Sequence, residues 1–187
     1  SPWVAPAGIS QKNVLSLREV EDLVLSPGQS VIRVPGQGTS AAMFDMLAYD
    51  PSGNYLFIPH ETPIGAGCSR VNLYDNSSEI IFAGDQQGVF GTTNGWANDF
   101  GAFDPCRWTP NGTLLLGEEW SGLGRVVEIL NPLAPAAENQ SRVLESIANV
   151  SHEGINFSSK FEDTIYYIDE YNSGSIYKFV MKKKGDY

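Results

Sequence analysis

The sequence predicts an all-β fold, a β-propeller or partial propeller built from repeated antiparallel meanders with a short N-terminal helix. Three observations predict it. Glycine (19) and proline (11) are frequent among 187 residues, and aromatic and β-branched residues are plentiful, as in an ordered, loop-rich β protein. A unit of turn, apolar strand and acidic end occurs three times. Each unit then runs through a short polar loop into a second apolar strand, which is the order of a β-meander.

Residues 1–40 form an N-terminal lead-in segment, and residues 41–187 carry the blades. In the lead-in, Ser16-Leu17-Arg18-Glu19 has the form of a capping box and precedes Val20, Leu23 and Val24 at helical spacing, so a short helix is expected there. A strand is expected from Ser30 to Val34. The first unit has the turn Asp50-Pro51-Ser52-Gly53, the strand Asn54 to Pro59 and the end His60-Glu61, followed by a strand from Arg70 to Tyr74. The second has Thr109-Pro110-Asn111-Gly112, then Thr113 to Gly117, then Glu118-Glu119, with a strand from Gly124 to Leu130. The third has Phe161-Glu162-Asp163, then Thr164 to Ile168, then Asp169-Glu170, with a strand from Ser175 to Val180. Gly53, Gly112 and Asp163 stand 59 and 51 residues apart.

Short-strand repeats of about 40 to 50 residues suggest propeller blades. Acidic residues at equivalent places in successive blades would then converge on one site. Propellers close with about four blades or more, so three units leave an open edge. The expectation is a chain belonging to a larger propeller, completed by the rest of a longer protein or by another copy.

The formal net charge is −10. Nucleic acid, which wants a basic patch, is disfavoured as a partner, and so are anionic membrane surfaces. The balance suits a protein that gathers multivalent cations, and it also keeps a secreted protein soluble. No apolar run reaches the roughly 18 residues of a membrane span. Lys182-Lys183-Lys184 reads as a solvated tail. Cys68 and Cys106 allow one disulfide. Sequons at Asn76, Asn111, Asn139, Asn149 and Asn156 are glycosylation candidates and point towards a secreted or periplasmic location.

The densest stretch runs from Phe103 to Glu119, joining Cys106 to a turn, an apolar strand and two adjacent carboxylates. Neighbours on a strand face opposite ways, so at least one of Glu118 and Glu119 looks into a pocket. An ionised carboxylate there needs a cation or a donor. A metal site is the leading expectation.

At these residues the chain resembles the PhoX family of secreted alkaline phosphatases, which are β-propellers that use iron and calcium. The resemblance lies in Cys106, the turn Thr109-Pro110-Asn111-Gly112-Thr113 and the pair Glu118-Glu119. It extends to His60-Glu61, to His152-Glu153-Gly154, and to Tyr167-Ile168-Asp169-Glu170 followed by Ile176-Tyr177-Lys178-Phe179. It covers roughly residues 44 to 180, with Asn111 where the family has Trp. The family implies hydrolysis of phosphate monoesters. It implies Cys106 as a thiolate bridging two ferric ions, with Glu118, Glu119 and Glu153 as oxygen ligands and Glu61 and Glu170 as further ones. The family's later blades supply more ligands, so the chain is expected to be incomplete as an enzyme.

Two other functions fit the same residues. His152-Glu153-Gly154-Ile155 with Asp163 to Glu170 also looks like the pattern of gluconolactonase-like hydrolases, in which one calcium ion polarises a lactone carbonyl. A non-catalytic secreted scaffold that self-assembles through open edges is the third. Other familiar signals fail. Gly36-Gln37-Gly38-Thr39-Ser40-Ala41 follows Pro35 and opens no convincing helix, which argues against dinucleotide binding. No nucleophile elbow or phosphate-binding loop sequence occurs. Two histidines do not make a His-rich zinc site.

Overall fold

A computed structural model of the chain describes residues 6–15, 43–89, 91–171 and 174–187. The helix expected near Ser16, the strand from Ser30 to Val34 and the segment from Gly36 to Ala41 lie outside these residues. Among the described residues the protein is all-β, with three antiparallel sheets. No helix in them is long and apolar enough to cross a membrane.

The first sheet contains β1 (Met43–Phe44), β2 (Ala48–Tyr49), β3 (Tyr55–Glu61), β4 (Gly67–Asn72) and β5 (Ser78–Ala83). Strands β1 and β2 both pair with β3, so they act as one interrupted inner strand. The second sheet runs in order through β6 (Phe103–Trp108), β7 (Leu114–Glu118), β8 (Val126–Ile129) and β9 (Ser141–Val143). The third comprises β10 (His152–Phe157), β11 (Thr164–Asp169) and β12 (Ile176–Val180). Strand β6 packs against β2 and β3 on one side and against β10 on the other.

The turns that open the central strands share one device. A polar residue closes the loop with its own backbone and caps it with its side chain. The Asp50 N–H donates to the Tyr55 carbonyl, that of Thr109 to Thr113, and that of Ser158 to Thr164. The Asp50 carboxylate accepts from the N–H groups of Ser52 and Tyr55, Thr109 Oγ1 from those of Asn111 and Thr113, and Ser158 Oγ from those of Lys160 and Phe161. Gly53 and Gly112 complete the first two turns at φ of 72° and 82°, where a side chain would be strained. The third loop carries Asp163 instead and is longer.

Strand β7 explains how the layers pack. Leu114 and Leu116 belong to an apolar layer shared with the first sheet, including Phe57, Cys68, Ile81 and Phe103. Leu115, one step along, faces the third sheet with Ile155, Ile165 and Tyr167. Alternation thus turns a continuous apolar run into a strand buried on both faces. Gly117 ends the run where the second and third sheets meet. A Cβ there would lie 2.8 Å from Pro105 and 2.9 Å from His152.

The outer face of the first sheet also has a small core, Leu56, Ile58 and Val71, partly covered by Leu15. The third sheet differs. Ile165, Tyr167 and Asp169 of β11 are buried, while Tyr166 and Ile168 on its other face are exposed, as are Ile176 and Val180 of β12. The chain after β12 folds back instead of trailing into solvent. Met181 is buried, Lys184 pairs with Glu162 at 2.8 Å and Tyr187 packs edge-on against Phe157.

A buried polar clasp fixes the long loop between β5 and β6. Asp99 is fully buried, and its carboxylate accepts from the N–H groups of Gly65, Gly88 and Phe100 at 2.8–3.0 Å. Arg125 donates to both oxygens of buried Glu118, to the Asp99 carbonyl at 2.6 Å and to the Trp96 carbonyl at 2.8 Å, and its guanidinium lies 4.5 Å over the Phe100 ring. Removing one member of a buried, fully bonded ion pair strands the other charge. Arg125→Ala is therefore expected to lower unfolding stability by about 3 kcal/mol. Urea denaturation measures it, and a loss below about 1 kcal/mol would show that Glu118 is not held in this way.

Candidate metal centre

The same irregularity interrupts the inner strand of each sheet. In the second sheet Phe103 pairs with Glu118 and Cys106 with Leu116, three steps on the inner strand against two on its neighbour. In the third, His152 pairs with Asp169 and Ile155 with Tyr167, again three against two. In the first, Phe44 pairs with His60 and Ala48 with Phe57, four against three. One extra residue is thus inserted at the same place in each sheet, which is a β-bulge that re-aims the side chains within it. Pro105, which cannot donate to the ladder, sits in the second of these bulges.

Each bulge begins with a carboxylate: Asp45 after Phe44, Asp104 after Phe103, and Glu153 after His152. Diagonal to it stands the acidic end of the central strand: Glu61 pairs with Met43, and the N–H groups of Glu119 and Glu170 donate to the Ala102 and Ser151 carbonyls, each two residues before the bulge acid. The three sheets therefore contribute two carboxylates each to one group. Oxygens of Glu119, Glu153 and Glu170 lie within 4.8 Å of one another. Glu61 interacts with Glu119, Asp45 and Glu153, and Asp104 with Glu153 and Asp45.

The electrostatics follow from burying acids together with no cationic side chain beside them among the described residues. Burial, and then the Glu153 and Asp45 carboxyls, push the Asp104 pKa up to about 10. Burial, followed by Glu170, Glu61 and Glu153, pushes that of Glu119 up to about 8. Glu61 is raised by burial first and by Asp45 next. Asp104 is 1% exposed, and neither of its oxygens has a hydrogen-bond donor among the described residues. The other buried carboxylates behave differently. Asp50 and Asp99 accept backbone N–H groups, Glu118 is bound by Arg125, and Glu128 accepts from Thr113 Oγ1 at 2.7 Å and pairs with Arg142.

The residue beside each central-strand acid points the opposite way. His60 Nε2 bonds Ser69 Oγ at 2.8 Å, and burial lowers the His60 pKa to about 3. Glu118 enters the Arg125 clasp, and Asp169 accepts from the Ser151 N–H at 3.3 Å. His152 precedes Glu153 and its ring lies 5.4 Å from that of Tyr167; burial lowers its pKa to about 4. Neither histidine belongs to the carboxylate group.

Of the six residues expected to hold metal, the structure gathers Glu61, Glu119, Glu153 and Glu170. It does not bring Glu118 or Cys106 to them. Cys106 packs in the apolar layer between the first two sheets beside Cys68; both are free thiols, and burial followed by Cys68 raises the Cys106 thiol well above its ordinary range. Among the sequons, Asn76, Asn111, Asn149 and Asn156 are exposed, whereas Asn139 is half-buried and donates from Nδ2 to the Ile81 carbonyl at 2.9 Å. Asp45 and Asp104 were not anticipated; the signal available was an acid one place after Phe44 and Phe103, matching His152-Glu153.

Six carboxylates with no sulfur or imidazole form a hard oxygen set, which suits calcium, magnesium or manganese. Calcium takes about six to eight oxygens in flexible geometry, within reach of three sheets that offer two acids each. The donor set therefore fits calcium, while the thiolate that a sulfur-bridged iron pair requires is held away from it. No family model matches the chain, and no curated protein matches it.

Proposed function

We propose that the six-carboxylate group is a calcium centre and that the chain is a PhoX-like domain hydrolysing phosphate monoesters, in an exported protein. The observation that carries the cation reading is Asp104, 1% exposed, with the acids Glu153 and Asp45 as its charged neighbours and no cationic donor on either oxygen among the described residues. Such a carboxyl is costly in the folded chain alone and is satisfied by a cation. When bound, calcium neutralises the charge of a phosphate ester and polarises its phosphorus–oxygen bonds. The phosphate part of the reading rests on the family resemblance. It also explains how a chain of net charge −10 would accept an anion with Arg125 already committed. Asp45, Asp104 and Glu153 hold the centre from the inner strands, and Glu61, Glu119 and Glu170 from the central ones.

Cys106 lying apart favours a second reading, a lactone hydrolase with a single calcium ion at Glu119, Glu153 and Glu170. Hydrolysis of p-nitrophenyl phosphate by the calcium-loaded chain supports the first reading. Hydrolysis of a gluconolactone without phosphatase activity replaces it with the second.

In either reading the three meanders are consecutive propeller blades. The exposed face of β11 and β12, with Ile176 73% exposed, takes the next blade from a longer chain or from another copy. Sedimentation velocity checks the second option. Concentration-dependent association that Ile176→Lys abolishes supports it, and a monomer unaffected by the substitution argues against it.

The cation itself is tested by thermal unfolding. Raised carboxyl pKa values stabilise the cation-free fold below the unfolded values near 4, and that contribution is lost as pH rises through about 8 for Glu119 and 10 for Asp104. Calcium displaces those protons, so it is expected to raise Tm more at pH 8 than at pH 5. Asp104→Asn is expected to raise the Tm of the cation-free protein and to shrink the calcium-induced rise. A calcium response that is absent, or unchanged by the substitution, removes the proposal.

A further inference from the structure

The carboxylate group borders a hollow that the proposed chemistry leaves unused. Trp120 directly follows Glu119, and its indole meets that of Trp96 edge-to-face, with centroids 4.4 Å apart and planes at 73°. A half-open hollow of about 180 Å³ lies beside them, lined by Thr92, Thr93, Trp96, Trp120, Leu123 and the Glu118–Arg125 ion pair. A second hollow shares Thr92, Thr93, Trp120 and Leu123 with the first and is bounded by Glu119. The cleft therefore runs from the indole corner to the rim of the carboxylate group.

The chemistry of its walls selects an occupant. An apolar cavity of about 150 Å³ is sufficient for benzene. Two indoles at nearly right angles let a third ring stack on one and meet the edge of the other. The cation in the wall is unavailable to an anion, because the Arg125 side chain already donates to Glu118, Trp96 and Asp99. Thr92 and Thr93 also line the hollow, the Thr92 hydroxyl donating to the Val89 carbonyl at 2.9 Å, and the Trp96 Nε1–H is bonded to the Thr92 carbonyl at 2.9 Å, which fixes one wall. We infer that the cleft formed by Trp96, Trp120 and Leu123 binds a single uncharged aryl ring. That the ring is the organic group of an ester whose phosphate reaches the cations rests on the function proposed above.

The two claims are tested separately. Benzyl alcohol is titrated into the full chain in chelator, with no cation added, and the indole Nε1–H resonances are followed by NMR. Saturable shifts of the Trp96 and Trp120 signals are expected, and Leu123→Arg, an exposed substitution that fills the cleft, abolishes them while the rest of the spectrum stays dispersed. Shifts that persist in that variant, no shift in the parent, or a response to methyl glucoside in place of benzyl alcohol would each overturn the aryl assignment. With calcium added, phenyl phosphate is expected to bind at least fivefold more tightly than methyl phosphate, and Leu123→Arg removes the difference. Equal affinities would overturn the link to the substrate. If neither phosphate binds, the proposed function fails while the benzyl alcohol result still decides the cleft.

Discussion

Like charges held close in a poorly solvated place repel, and the fold converges six acids without an opposing side chain among the described residues. At about 4 Å and an effective dielectric near 20, one such pair costs about 4 kcal/mol if both are ionised. Burial first, and this repulsion after it, raises the Asp104 and Glu119 pKa values, so the cost is met as retained protons. Everything that places these groups is backbone: a bulge in each inner strand and the matching end of each central strand. The hydrophobic layers on either side of β7 hold the backbone in that arrangement.

The protein treats its other buried acids in the opposite way. Asp50, Asp99, Glu118 and Glu128 are each surrounded by donors, and two of them anchor loops far apart in sequence. That contrast separates structural carboxylates from those left for a ligand. It depends on which donors are present, so exposure alone does not reveal it.

Much of this was legible in the residues. Turn, strand and acidic end repeat in the sequence, and Glu61, Glu119 and Glu170 do occupy equivalent places. The opposition of Glu118 and Glu119 followed from strand alternation, and the structure separates them as that argument requires. What alternation could not reveal was the added residue in each inner strand. Strict period two would put Cys106 on the side of Asp104. The bulge moves it to the side of Phe103, into the apolar layer with Cys68. The same insertion hid Asp45 and Asp104, because Phe103 to Trp108 reads as an irregular stretch around Pro105 and not as a strand.

The three layers are not anchored equally. The first two bury both faces of their central strands, whereas β11 buries one face and leaves Tyr166 and Ile168 in water. Local opening takes the least work where the fewest apolar side chains are sequestered. Glu153 and Glu170 ride on that layer, so two of the three closest carboxylates belong to the sheet whose central strand buries a single face. Amide exchange in β10 to β12 thus becomes a gauge of whether the centre is filled, read from backbone hydrogens that never touch it.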